Sequence, residues 1–113
     1  MRTLNDYFLI FYVPDISTTS STGYVVAPDA GKLIKAYVVT DATTTGDAIV
    51  TFSVDGGTAI TQTLTIAAGA AGVVSSCAPA DNNAVLAGSA IKAISDGGST
   101  NAALGCVVLV IRR

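Results

Sequence analysis

The chain has 113 residues, of which 50% are hydrophobic and 12% charged, with a net charge of −2. That length suits one compact domain, taken as residues 1–113, and the thin, slightly acidic charge excludes the basic footprint of a general nucleic-acid binder. No apolar run approaches the ~18 residues of a membrane-spanning helix. The surplus of apolar surface is therefore expected to be covered by protein, as in a subunit of an assembly.

The first apolar run, Tyr7 to Val13, holds four of the seven aromatic residues: Tyr7, Phe8, Phe11 and Tyr12. Asp6 precedes the run and no small-x-small cleavage site follows it, so it is expected to be a first strand instead of a signal peptide. Rings on both faces of one strand imply full burial or packing against another chain. Pro14-Asp15 ends the run, 17–22 (STTSST) reads as a loop, and Gly23 to Ala27 as a short strand. Pro28-Asp29-Ala30-Gly31 is a tight-turn sequence, with proline pre-setting φ and glycine free to take either sign.

Lys32 to Thr40 alternates, with Leu33, Lys35, Tyr37 and Val39 on one face and the apolar Ile34, Ala36 and Val38 turned to the core. Lys32 and Lys35 are expected to share one side as a small charged rim. After the loop 41–47 (DATTTGD), Ala48 to Val54 alternates again, and Asp55-Gly56-Gly57 is a hairpin turn. Thr58 to Ala67 returns as a strand with Ile60, Leu64 and Ile66 inward. The run 68–72 (AGAAG) is too glycine-rich for a helix, and Val73 to Ser76 is a brief strand. Ala84 to Ala87 leads into a strand from Ala90 to Ser95, and 96–101 (DGGSTN) turns the chain into Ala103 to Ile111. This last run is nearly all apolar, hence central or covered on both faces. Short strands punctuated by turns, with no amphipathic helix, predict an all-β, antiparallel β-sandwich of jelly-roll type.

Chemistry is scarce. Gly31-Lys32 fails as a phosphate loop, because Gly23 lies eight residues before Gly31, Leu33 stands where a hydroxyl is needed, and a strand follows in place of a helix. Histidine and glutamate are absent, which removes the Ser-His-Asp and Cys-His arrangements within one chain. Asp29, Asp41, Asp47, Asp55, Asp81 and Asp96 all fall in predicted turns, where capping explains them. Asp41, Asp47, Asp55 and Asp96 also make calcium the metal with the best ligand supply, without EF-hand spacing. Cys77 and Cys106 are too few for a four-ligand zinc site, and are either a pair or free buried thiols; an intracellular, reduced protein is expected. No catalytic residue, cofactor or metal ligand is assigned, and no enzyme is expected. The missing tryptophan, and aromatics placed in strands, disfavour sugar stacking.

Residues 30–60 (AGKLIKAYVVTDATTTGDAIVTFSVDGGTAI) and 82–111 (NNAVLAGSAIKAISDGGSTNAALGCVVLVI) together resemble small capsid decoration, or cement, proteins of tailed bacteriophages. The shared pattern includes Asn83, Val85, Gly88, Ile91 and Ser95-Asp96-Gly97, whereas Gly88-Ser89 departs from the expected Gly-Asp. The resemblance implies a β-rich subunit made in the host cytoplasm and carried on the virion. It would form a homo-oligomer, typically a trimer, and clamp onto the major capsid protein, with no nucleic acid or membrane as partner. Residues 1–13 would then supply a strand for a subunit or capsid interface, with Arg2, Tyr7, Phe8, Phe11, Tyr12, Arg112 and Arg113 as contact residues. The alternative is a fibre or spike head domain that binds a receptor or glycan.

Overall fold

Nine strands and no helix make up residues 6–60 and 62–113, which the computed structural model describes. They are β1 (Asp6–Val13), β2 (Thr22–Val26), β3 (Gly31–Thr40), β4 (Ala48–Val54), β5 (Leu64–Ile66), β6 (Val74–Cys77), β7 (Ala84–Val85), β8 (Ala90–Ser95) and β9 (Gly105–Arg112). One antiparallel sheet has the order β1-β9-β3-β6, with β7 also paired to β3, and the other has the order β2-β8-β4-β5. Except at β4–β5 and β6–β7, each strand lies in the opposite sheet from its predecessor. That winding is the jelly roll expected from the turn-punctuated sequence.

Period-2 alternation decides which side chains fill the space between the sheets. From β4, Ala48, Val50 and Phe52 are buried; from β8, Ile91 and Ala93; from β9, Val107, Leu109 and Ile111. Phe52, Leu33, Leu64, Ile91 and Leu109 are among the largest side chains with almost no exposure. As expected, Ile60, Leu64 and Ile66 turn inward. The return strand is shorter than its pattern predicts, because Gln62 takes φ 81° and divides an isolated bridge, Ala59 to Ser53, from the continuous pairing of Leu64–Ile66 with β4. Asp55 and Gly56, with φ of 51° and 71°, form the left-handed corner of the hairpin, closed by the Gly57 N–H on the Val54 carbonyl at 2.9 Å.

The expected facing of β3 needs correction at its start. The ladder to β9 shifts between Leu33 and Lys35, making Ile34 the extra residue of a β-bulge. Leu33 is consequently buried in the core beside Ala36 and Val38, while Ile34 is only half-buried. The same bulge puts Lys32, opposite Arg112, on the outward side with Lys35, opposite Val110. Asn83 holds the distortion, its side-chain amide donating to the Leu33 carbonyl at 2.7 Å and its own carbonyl accepting from the Leu33 N–H at 2.9 Å.

Gly31 opens β3, and a Cβ there would lie 2.7 Å from the Arg112 carbonyl oxygen and 2.8 Å from Ile111 Cγ2. Close approach of β3 to β9 explains this glycine without any phosphate.

Asp15 pins the loop after β1. Its carboxylate accepts from the Ser17 hydroxyl at 2.6 Å, the Ser17 N–H at 2.9 Å, the Thr18 hydroxyl at 3.1 Å and the Ala103 N–H at 3.3 Å. Hydrogen bonds from the Ser17 hydroxyl and N–H are the main cause of a pKa held below the usual aspartate value. A depressed folded pKa stabilises the fold above the unfolded value of ~3.9, and that contribution is lost as pH falls through the folded pKa. The melting temperature of Asp15→Asn should therefore lie below wild type above about pH 5, and the gap should close as the pH drops under about 3.9. A gap of constant size in thermal melts across that range would show that the carboxylate charge is irrelevant.

Candidate functional site

The outer face of the β1-β9-β3-β6 sheet is built from residues whose alternation turns them away from the core. Beyond a charged end row, Asp6–Arg112–Lys32, cross-strand pairing sets them in three rows: Phe8–Val110–Lys35, Ile10–Val108–Tyr37–Ser76 and Tyr12–Cys106–Val39–Val74. Of the eleven side chains in those three rows, all but Lys35 and Ser76 are apolar or aromatic. Ile10 is 62% exposed, Val74 59%, Tyr12 55%, Phe8 42% and Tyr37 36%. Lys35 extends over the Tyr37 ring, with its ammonium 5.7 Å from the ring centre, so its stem covers part of the same surface. The opposite outer face, on β2-β8-β4-β5, sets Tyr24, Val26, Ile49 and Ile94 among Thr22, Thr51, Thr65 and Lys92, an even mixture of apolar and polar side chains.

The expected contact residues separate between the two faces of β1. Phe8 and Tyr12 lie on the outer face; Phe11 is a core residue, and Tyr7 is half-buried against the core. The Tyr7 hydroxyl donates to the Asp29 carbonyl at 2.5 Å, and desolvation, followed by the nearby Asp29 charge, raises its pKa. Neither arginine is a loose tail. Arg112 makes a two-pronged pair with Asp6 at 3.0 and 3.2 Å. Arg113 contacts Asp29 at 3.3 Å and stacks over the Tyr7 ring at 5.4 Å. Arg2 lies outside the described residues. Sequence reading missed Ile10, Val108 and Val110, although the odd–even pattern that places Phe8 and Tyr12 together places Ile10 between them.

Gly31 and Lys32 line an open groove of about 730 Å³ with Ile34, Val85, Arg112 and Arg113. Two of its three cations are already neutralised by Asp6 and Asp29. The groove offers no ring of backbone donors to a phosphate, in keeping with the strand that follows Gly31.

The turn aspartates act as long-range caps. Asp41 accepts from the Leu104 N–H at 2.8 Å, Asp55 from Ala90 at 2.8 Å, and Asp96 from Ile49 and Gly98, both at 2.9 Å. Asp47 accepts from Ala68 at 3.3 Å. Asp41 and Asp47 share one loop but cap different backbone groups, and among the described residues no group of three or more metal-binding side chains converges. Cys77 and Cys106 are free thiols on opposite faces of one sheet, since Cys77 pairs with the inward Ala36 and Cys106 with the outward Val39. A disulfide between them is sterically excluded. Burial pushes the Cys77 thiol above its usual pKa.

No protein-family model matches the sequence, and no curated protein matches it at a significant level. Solved structures show a likeness of fold. A family 6 carbohydrate-binding module aligns with a TM-score of 0.60 at 14% identity, over 98% of this chain and 85% of its own. A chain of the acid-stable capsid of Helicobacter pylori bacteriophage KHP30 aligns with a TM-score of 0.57 at 11% identity, over 96% of this chain and 87% of its own. The catalytic domain of a GH87 alpha-1,3-glucanase also aligns, at 0.57 and 12% identity, over 90% of this chain. This chain spans only 21% of that glucanase chain. At such identities the shared property is the two-sheet β-sandwich.

Proposed function

We propose that this chain is a structural virion protein, a capsid decoration or cement protein that binds the outside of a phage head and stabilises it. The observation that carries the reading is the apolar patch on the outer face of the β1-β9-β3-β6 sheet, where Phe8, Ile10, Tyr12, Tyr37 and Val74 are exposed beside a charged row of Asp6, Arg112 and Lys32. It belongs to a sandwich whose fold extends over 87% of a phage capsid chain. Copies of this chain and the major capsid protein are the partners, in a homo-oligomer for which the sequence resemblance implies a trimer. The mechanism is avidity: many modest contacts, repeated by lattice symmetry, oppose expansion of the packed head. It calls for no catalytic residue or cofactor.

The carbohydrate-binding likeness and the exposed Tyr12 and Tyr24 rings favour a second reading, a fibre or spike head domain that binds a glycan. Co-sedimentation with undecorated phage heads, run beside a glycan array, separates the two. Stoichiometric, saturable binding to heads at symmetry-related positions is expected. Absence of head binding together with a specific glycan hit would replace the decoration reading by the second one.

A further inference from the structure

We infer that the groove at the charged end of the β1-β9-β3-β6 sheet receives an extended segment of another protein, one that sets an aliphatic side chain beside a carboxylate. The site lies apart from the apolar patch and stands whether or not the chain decorates a head. The groove, of about 730 Å³, has a floor of Ala30, Gly31, Ile34, Ala84 and Val85, none with a polar side-chain atom. Such a floor favours an aliphatic group, and the few polar groups around it fix orientation. Those groups are Lys32, Arg112 and Arg113, all exposed. Arg112 turns Nε and one Nη toward Asp6, which holds the guanidinium in place while its side chain is 52% exposed. A guanidinium carries more N–H donors than that pair uses, so its other edge is left for an incoming carboxylate. Arg113 is positioned in the same way, by Asp29 at 3.3 Å and by the Tyr7 ring. Lys32 has no ion pair among the described residues and supplies the uncompensated positive charge. It lies directly opposite Arg112, where two cations repel, and a carboxylate seated over both relieves that repulsion. A nucleic-acid strand fits less well, because the floor offers no ring on which bases could stack and the nearby Tyr7 ring lies under Arg113. Beyond the ridge of Lys32 and Ala84, a second groove of about 450 Å³ continues past Asp81, Asn82 and Thr58. A bound chain therefore has room to run on across the ridge, which suits an internal segment better than a chain end. Asp81 repels acid there and keeps the carboxylate on the arginine side.

The test is a titration of the full chain, followed by amide chemical shifts, with the end-blocked peptide Gly-Glu-Leu-Ser-Lys-Gly as probe. Shifts are expected at Gly31, Lys32, Ile34, Ala84 and Arg112, saturating with a dissociation constant of about 1 mM or tighter. Glutamine in place of the peptide's glutamate should weaken binding about tenfold, the loss of one charge-assisted hydrogen bond. Lys32→Gln in the protein should do the same, while Lys92→Gln, on the opposite sheet, should leave binding unchanged. Lys32 is exposed, so circular dichroism melts of that variant should remain near wild type and report folding directly. Alanine in place of the peptide's leucine should weaken binding several-fold, through lost burial on the floor. Equal binding by the glutamine peptide, shifts centred on Phe8, Ile10 and Tyr12, or no shift at about 5 mM peptide would overturn the assignment. Binding that needs an unblocked C-terminus would overturn it in favour of a chain end. Tighter binding of oligothymidylate at the same residues would make this a phosphate site instead. Groove shifts that grow with protein concentration alone would make a second copy the occupant and overturn the assignment too.

Discussion

Gly23→Ala is expected to destabilise the sandwich by about 3 kcal/mol or more, at or above the upper end of ordinary overpacking costs. Gly23 lies in β2, paired with Ala93, on the side of the sandwich where β2 and β1 approach from opposite sheets. An added Cβ would overlap the Tyr12 carbonyl oxygen and lie 2.9 Å from its carbon and 3.1 Å from Phe11 Cδ2. Two of those three atoms are backbone, so no rotamer change relieves the clash and the strands must move apart. The melting temperature should drop by roughly 10 °C or more, since each kcal/mol is worth about 4–8 °C in a small domain. Gly69→Ala is the control, because its nearest neighbours would be 3.9 Å away and the change should be close to neutral. Thermal and urea unfolding that place Gly23→Ala within about 1 kcal/mol of wild type, a normal surface effect, would show that the sheets yield at this edge.

That glycine illustrates what the sequence conceals. Alternation and turn residues made most strands legible: Ala48–Val54 and Ala90–Ser95 have the boundaries their patterns predict, and β9 is central in its sheet. Those signals are local, and burial of one face enforces them. A glycine inside a strand signals close backbone approach or a bulge without saying to what. Here the answer, Tyr12, depends on how the two sheets wind. The bulge at Ile34 was equally hidden, because both Leu33 and Ile34 are apolar and strict alternation accepts either as the core residue. The candidate surface was half legible: an apolar surplus and rings on both faces of β1 implied a protein contact. Only the register of β9 between β1 and β3 reveals that Val108 and Val110 continue the patch. The arginines misled because side-chain charge near a terminus says nothing about local partners such as Asp6 and Asp29.

The residues that carried the sequence resemblance turn out to have architectural work. Val85 and Ile91 are buried in the core. The Ser95 hydroxyl donates to the Ile16 carbonyl at 2.7 Å, Asp96 caps two backbone N–H groups, and Gly88 and Gly97 hold φ of 86° and 78°. A shared pattern of this kind specifies a jelly roll with particular corners. It bears on function through the surfaces those corners support, and Asn83 shows how.

Asn83→Ala is expected to cost about 3 kcal/mol, since it removes a buried amide and leaves the Leu33 carbonyl without its side-chain donor. Asn83→Asp keeps the shape but cannot donate when ionised, so it should do at least as much harm and thereby separate the hydrogen bond from the lost volume. Local opening should follow: amide exchange at Leu33 should accelerate well beyond that at Phe52 in the opposite sheet. The consequence extends to the outer face. The bulge allows Leu33, Ala36 and Val38 to be buried together while Lys35, Tyr37 and Val39 all point outward. A one-residue slip of β3 would turn Tyr37 and Val39 inward and put Ala36 and Val38 on the surface. Weakening the bulge should therefore disturb the outer face as well as stability, in a variant whose substituted residue is remote from the three surface rows. Wild-type melting with uniform exchange would show that pairing to β9 alone sets the register of β3 and that Asn83 merely occupies the gap beside it.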